Sequence, residues 1–358
     1  TIQTRDPILD FITTTNTAVP GDPTGEIGRD YYIAAWNSSF RIFNLDGSPA
    51  TPATSLQNFF TQDIGDPIAL YDSEADRYIV TSMGSSAVNF AISVSNDPVN
   101  DGWHVYNATG GTFNTGGFPD YPKYSIWSDA YYLTTNYSNV PLFALEREKI
   151  LNGDIAPSIQ GMSVPQMFYA SFRGSQVFSI SNDDHPADGN AILVLHQDDA
   201  LVQGQPDQIK LWTINVDWEN SANTTVSNPQ SLITTPFNAY FDGGELEVNL
   251  TQINGVDMSA GTMMINNQPQ FRKFENHNSA LVSFTVNTAS QNPGSPSELA
   301  GIRWYELRQD GDAEPWYIFQ EGTYTAPGGK HAIYASMAMD FLGNIGMGYT
   351  SFSQTAYI

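Results

Sequence analysis

One pattern recurs along this chain and restricts its fold more than any single motif. An apolar strand is followed by a short acidic or glycine-rich turn, then by a second strand that ends in tyrosine or threonine. Ile68-Ala-Leu-Tyr-Asp precedes Asp76-Arg-Tyr-Ile-Val-Thr, and Tyr124-Ser-Ile-Trp-Ser-Asp-Ala precedes Tyr131-Tyr-Leu-Thr-Thr-Asn. Ser336-Met-Ala-Met-Asp precedes Gly343-Asn-Ile-Gly-Met-Gly-Tyr-Thr. Repeated hairpins of this kind form the inner halves of propeller blades, where small residues let backbones crowd near an axis.

The rest of the sequence agrees with that architecture. Runs rich in Tyr, Ile, Val, Phe, Trp and Thr predict strands at Tyr31–Asn37, Phe40–Leu45, Phe90–Ser95 and Trp103–Tyr106, and later at Ala191–His196, Ile209–Val216, Ala280–Val286, Ile302–Leu307 and Trp316–Gln320. Helical signals are scarce; the best runs from Val140 to the stop-like Asn152-Gly153 and gives at most a short helix. Strands gather into quartets, the third starting at Gln166–Phe172 and the fourth at Met263–Phe274. The expectation is an all-β chain, residues 1–358 as a single β-propeller domain. Six blades of about sixty residues fit best, with seven as the alternative, and the N-terminal Ile8–Thr14 closes the ring. Two packed sandwiches parting near Asn238–Gly261 are a second all-β reading.

Composition narrows function. Lys and Arg number 14 against 38 Asp and Glu, a net charge of −24, which argues against nucleic acid or an anionic membrane as partner. Cysteine is absent, so disulfides and thiolate chemistry are excluded. No run of 18 apolar residues is present to span a membrane as a helix. Thr1–Asp6 shows no basic-then-apolar leader, so any export signal is expected to have been removed or never present.

Several segments resemble a group of uncharacterised secreted bacterial propeller-like proteins. Asp22-Pro-Thr-Gly-Glu-Ile-Gly-Arg-Asp-Tyr-Tyr is similar to that group's D-x-N-G-x-V-G opening. Gly65-Asp-Pro-Ile-Ala-Leu-Tyr-Asp-Ser-Glu-Ala-Asp-Arg-Tyr is similar to its G-D-P-V-V-L-Y-D-x-x-A-D-R-W, and Asp120-Tyr-Pro-Lys-Tyr-Ser-Ile-Trp-Ser-Asp-Ala-Tyr-Tyr to its D-Y-P-K-x-x-V-W-P-D-x-Y-Y. The resemblance spans nearly the whole chain, although Ser158–His185 departs from the pattern. It implies an exported, often surface-attached or type IX-secreted protein.

Common catalytic signatures are missing: there is no Gly-x-Ser-x-Gly, no His-Glu-x-x-His and no phosphate loop. The five histidines are not spaced as metal ligands. In a propeller, the loops leading into the innermost strands converge on one channel mouth. That geometry predicts a ligand-binding cluster of Arg29, Asp30, Asp66, Asp120, Tyr121, Lys123, Lys330 and His331, with Arg77 as a clamp for an anionic group. Were the chain an enzyme, Asp66 and Asp120 would be its carboxylate couple. The structural reading is that these aspartates fix turns and that Arg77 braces its own hairpin. Asp183, Asp184, Asp188 and Asn190 offer oxygen ligands for a structural calcium ion, the one cofactor expected, against a solvated acidic turn. The function expected is a non-catalytic extracellular propeller that binds glycan or another surface partner. The alternatives are a glycan-active enzyme, hydrolase or lyase, with its site at the channel mouth, and a structural spacer.

Overall fold

The structure is a computed structural model that describes residues 9–15, 19–62, 65–136, 140–167, 174–181, 185–200, 204–241, 250–253, 255, 257–261, 264–266, 268–290 and 297–356. Strands dominate it, in sheets of mostly four antiparallel strands, so the all-β expectation holds. The chain forms two compact units: Thr1–Pro122 with Leu145–Ile159, and Lys123–Ala144 with Gln160–Ile358.

In the first unit, β1 (Thr24–Ile27), β2 (Tyr31–Trp36), β3 (Ser39–Asn44) and β4 (Thr54–Ser55) form one sheet in sequence order. The short α1 (Leu56–Phe59) follows. A second sheet is built from β5 (Gly65–Asp72), β6 (Arg77–Met83), β7 (Val88–Ser93) and β8 (Trp103–Tyr106). β1 and β2 lie against β5. Between the sheets, Ile33, Phe40, Leu56, Phe60, Tyr78 and Val80 are buried together. Each such side chain adds roughly 1.5–3 kcal/mol on leaving water.

The second unit holds β9 (Lys123–Ile126), β10 (Ala130–Thr134), β11 (Leu142–Glu146) and β12 (Ile159–Met162) as a third sheet. The chain runs from β11 into α2 (Arg147–Leu151), which is counted with the first unit. Next, β13 (Gln176–Val177) and β14 (Ser179–Ile180) edge two different sheets. β13 pairs with β15 (Ala191–Gln197), which pairs with β16 (Gln208–Asn215), flanked by β17 (Thr225–Val226) and β18 (Gln230–Ile233). β19 (Leu250–Thr251) and β20 (Asp257–Met258) make a small ladder. β14 runs parallel to β21 (Gln270–Lys273), which continues to β22 (Asn278–Asn287), β23 (Ala300–Gln309) and β24 (Tyr317–Tyr324). The hairpin β25 (His331–Met339) with β26 (Ile345–Phe352) lies against β22 and β23. Trp127, Phe178, Trp212, Phe271, Phe284 and Trp316 anchor this unit's core. All ten residues of β22 are buried, as a strand covered on both faces requires.

Three details differ from the sequence reading. The first sheet opens with β1, a four-residue strand that its Thr-Gly-Glu-Ile sequence hides, because only one of those residues is apolar. The fourth sheet opens at Gln176 rather than within Gln166–Phe172, most of which lies outside the described residues. Leu9–Thr15 forms no strand; Phe11 instead sets its ring against Tyr32 and Phe43, at 6.0 and 5.3 Å.

Candidate active site

The strongest concentration of perturbed acidic groups sits in the second unit, at the turn between β15 and β16. The register pairs Gln197 with Gln208, so one step further Asp198 faces Asp207 across the hairpin. Two like charges directly opposite repel, and both residues are almost fully buried, 1% and 3% exposed. Asp199 joins them from the exposed side, and one oxygen from each of the three lies within 4.8 Å of the others.

Backbone donors hold this arrangement together. Ala239 N–H donates to Asp198 Oδ2 at 2.6 Å and Ala200 N–H to Oδ1 at 2.8 Å. Phe237 N–H donates to Asp207 Oδ2 at 2.6 Å, and Asp199 N–H to Oδ1 at 2.7 Å. Burial nevertheless wins for Asp198, whose pKa is pushed up to about 6, with the charges of Asp207 and Asp199 adding to the rise. Asp207 is also raised by burial and by the charge of Asp199, while the N–H groups of Phe237 and Asp199 and, least of all, the guanidinium of Arg303 favour its charged form. The two carboxyls therefore differ in kind: Asp198 keeps a proton more readily, and Asp207 has a cation to support its charge.

Arg303, on β23, is fixed by its own contacts. Its Nε donates to Tyr305 Oη at 3.0 Å and one Nη to Thr323 Oγ1 at 3.1 Å, while the other Nη pairs with Glu321. Burial pushes the Tyr305 hydroxyl up to about 12, so it stays neutral while it accepts from Arg303. A backbone relay links the carboxylate pair to the start of β25. Next to Ala239, the Asn238 carbonyl accepts from Asn287 N–H at 2.7 Å, Asn287 is paired with Ala300, and Ala300 N–H donates to His331 Nδ1 at 3.2 Å. As a metal site the triad is poor, because Ca2+ takes six to eight oxygens and four oxygens here already accept backbone N–H groups.

The residues singled out from sequence fall in several places. His331 is at the end of the second unit that holds the pair, but burial lowers its pKa and its Nδ1 is taken by Ala300, so it holds the strand ends together. Lys330 is exposed beside it, and Lys123 begins β9. In the first unit the expected grouping of Arg29 and Asp30 with Asp66 is corrected. Because β1 precedes β2, Arg29 and Asp30 sit in the β1–β2 turn, where Arg29 lies 3.5 Å from Asp76 and Asp30 N–H meets Tyr78 Oη at 3.2 Å. Asp76 closes the turn after β5, whereas Asp66 is at that strand's opposite end, where its N–H donates to Asn37 Oδ1 at 3.0 Å. The clamp role for Arg77 is corrected likewise: its guanidinium donates to the carbonyls of Ala75 and Asp76, at 2.8 and 3.0 Å, and braces its own turn. Asp120 is exposed in the connection before β9, and Tyr121 beside it has φ 54°.

Of the expected calcium ligands, Asp183 and Asp184 lie outside the described residues. Asp188 is exposed, and Asn190 (φ 53°) donates its N–H to Asn215 Oδ1 at 3.0 Å. Among the described residues, only the Asp198–Asp199–Asp207 group brings three acidic or histidine ligand atoms this close.

No protein-family model and no curated protein matches the chain. Solved structures to which it is similar include the alpha-L-arabinofuranosidase of Lactobacillus brevis, at 10% identity and a TM-score of 0.38, over 80% of this chain and 82% of that one. The catalytic domain of the Coprinopsis cinerea GH62 alpha-L-arabinofuranosidase matches at 11% and 0.30, over 85% and 90%. A Bombyx mori GH32 beta-fructofuranosidase matches at 11% and 0.33, over 83% and 56%. The expectation of a non-catalytic glycan binder is corrected at this point. The similar structures bear the names of glycosidases rather than of glycan-binding modules.

Proposed function

We propose that this chain is an extracellular glycoside hydrolase, its sheets serving as blades of a six-bladed β-propeller and its catalytic couple formed by Asp198 and Asp207. The observation that carries this reading is the buried cross-strand pair with unequal proton affinities. Asp198, protonated up to about pH 6, donates its proton to the glycosidic oxygen as the bond to the anomeric carbon breaks. Asp207, whose charge Arg303 supports, attacks that carbon and forms a glycosyl ester. Asp198, now a carboxylate, takes a proton from water, whose oxygen displaces Asp207 and regenerates both groups. One oxygen of each carboxyl lies within 4.8 Å of the other, which is too close for the roughly 6.5–9.5 Å that an intervening water needs, so retention of the anomeric configuration is the expected outcome.

The test is a panel of 4-nitrophenyl furanosides and pyranosides assayed at pH 5.5 with the full chain. Turnover of at least one, reduced about 100- to 10,000-fold in both Asp198→Asn and Asp207→Asn, is the expected result. No turnover across the panel, or turnover that survives both substitutions, overturns the assignment.

A further inference from the structure

Across β1 and β2, the first unit opens a cleft of about 260 Å³, where a single water needs roughly 10–15 Å³. Strand alternation builds its floor: Tyr32, Ala34 and Trp36 project from one face of β2, and Gly25 lies opposite Ala34 on β1. Phe11, whose ring meets Tyr32 edge-on, holds the N-terminal segment against this face, so Thr13 and Thr14 also line the cleft. Pro23 and Thr24 complete it, and Asn37 ties down the residues before them. Its N–H donates to the Gly21 carbonyl at 3.0 Å, and its Nδ2 donates to the Pro20 carbonyl at 3.2 Å and to the Asp22 carboxylate. All of these residues belong to the first unit, and no step of hydrolysis at Asp198 and Asp207 uses them.

Polar groups face this cleft without protein partners. Trp36 is only 7% exposed, and among the described residues its indole N–H has no acceptor. The Tyr32 hydroxyl likewise has no partner there. It lies over β1 because residue 25 is glycine; a Cβ at that position would collide with the phenolic oxygen. Burial, and after it the charge of Glu26, raise the Tyr32 pKa, so the hydroxyl keeps its proton and can donate. Thr13 and Thr24 add hydroxyls that both donate and accept. A donor left unpaired in such a place costs free energy that a bound acceptor recovers.

None of the nine residues lining the cleft carries a charge. Glu26, the acidic residue of β1, pairs with Ile33 of the core between the sheets, so alternation turns it away from the face of Gly25 and Tyr32. Its carboxyl accepts from Ile27 N–H at 3.1 Å, and that of Asp22 is taken by Asn37. An ion of either sign would therefore meet no counter-charge, and a purely apolar molecule would strand the hydroxyls and the indole N–H. What fits is a neutral molecule with several hydroxyls and an apolar C–H face. We propose that this cleft binds one neutral sugar unit of a glycan, which accepts from Trp36 Nε1 and exchanges hydrogen bonds with Tyr32 Oη. The site stands on its own geometry and does not require Asp198 and Asp207 to be catalytic.

The experiment titrates the full chain with methyl β-D-glucopyranoside, methyl β-D-galactopyranoside and methyl α-L-arabinofuranoside. Binding is read by the indole N–H resonances, that of Trp36 being the one lost in Trp36→Phe. Saturable binding of at least one sugar, with a Kd on the order of millimolar, is expected to shift the Trp36 signal. Tyr32→Phe keeps the ring and deletes the hydroxyl, and should weaken binding about fivefold, the worth of one hydrogen bond. Trp36→Phe, read through broadening of the sugar's own resonances, should weaken it to a similar extent. No saturation with any of the three sugars, saturation that leaves the Trp36 signal unmoved, or unchanged affinity in Tyr32→Phe overturns the proposal. Displacement of the sugar by phosphate or tetramethylammonium does so as well. The readout is a first-unit resonance and involves no turnover, so its failure is distinguishable from a failure of hydrolysis.

Discussion

His196 lies on β15 among apolar neighbours, stacked on Phe284 at 4.0 Å, and neither ring nitrogen has a partner. Burial lowers its pKa to about 3 from an ordinary 6.5. The unfolded chain takes up a proton below pH 6.5 that the folded chain refuses, so the stability this group contributes is complete above 6.5 and is lost as pH falls toward 3. Between pH 6.5 and 4.5 the loss is about 2–3 kcal/mol. Denaturant unfolding at the two values should therefore show His196→Leu losing less stability than the native chain, by about that amount; parallel losses would contradict the burial. Asp198 behaves in the opposite sense. Its folded pKa is raised, so its protonated form persists to about pH 6. The kcat/KM of a cleavable glycoside should then fall about tenfold per unit above pH 6, and a profile flat to pH 8 would remove Asp198 as the acid. At this scale sequence was a partial guide. It allowed for Arg77 bracing its own turn, which needs only local contacts. It passed over Asp198 and Asp207, since two acidic residues in a hairpin loop look solvated. Their burial depends on the N–H groups of Phe237 and Ala239, 30 and 41 residues further along, and no local pattern announces those.

The element α2 illustrates how a short helix is kept in place. Five residues cannot sustain a helix alone, and Gly153, at φ 70°, ends it where a Cβ would meet the His104 ring at 2.3 Å. Arg147, the first residue, reaches the fully buried Asp72 through two bonds, Nε to Oδ2 at 2.8 Å and Nη2 to Oδ1 at 3.0 Å. Glu74 adds a contact at 2.7 Å. Removing the cation leaves a carboxylate stranded in the interior, so Arg147→Met should cost about 3–5 kcal/mol, measured by urea unfolding. Adding Asp72→Leu should recover most of it; a double variant as unstable as the single one would show that the ion pair is not the cause. Strands and hairpins were largely legible here. Sustained runs of β-branched and aromatic residues coincide with β2, β3, β6 to β8, β15, β16, β22 and β23, and in β6, β7, β15 and β22 burial on both faces demands such runs. The helix stop at Asn152-Gly153 was legible for the same local reason. β1 was not, having too few apolar residues to register, and its omission reversed the expected position of Arg29 and Asp30.

Across the whole molecule, 38 acidic residues face 14 basic ones. Many carboxylates accept hydrogen bonds locally, as Asp97, Asp217 and Asp340 do from neighbouring backbone N–H groups and asparagines, yet the overall excess remains repulsive. Raising ionic strength from about 10 to 150 mM shortens the screening length from about 30 to 8 Å, so Tm should rise by a few degrees in NaCl; a Tm that falls would show that attractive pairs dominate instead. The repeat of strand, acidic turn and strand made the all-β architecture readable from sequence. The partition into two units was not, because α2 returns the chain to the first unit through the long-range Arg147–Asp72 contact. The proposed chemistry depends on two facing carboxyls that hold protons unequally. A titration of 13C-labelled aspartate carboxyls followed by NMR, assigned with Asp198→Asn and Asp207→Asn, measures this directly. A midpoint near 6 for Asp198, with a lower but still raised one for Asp207, is the predicted result. Two midpoints in the ordinary aspartate range near 4 would contradict it.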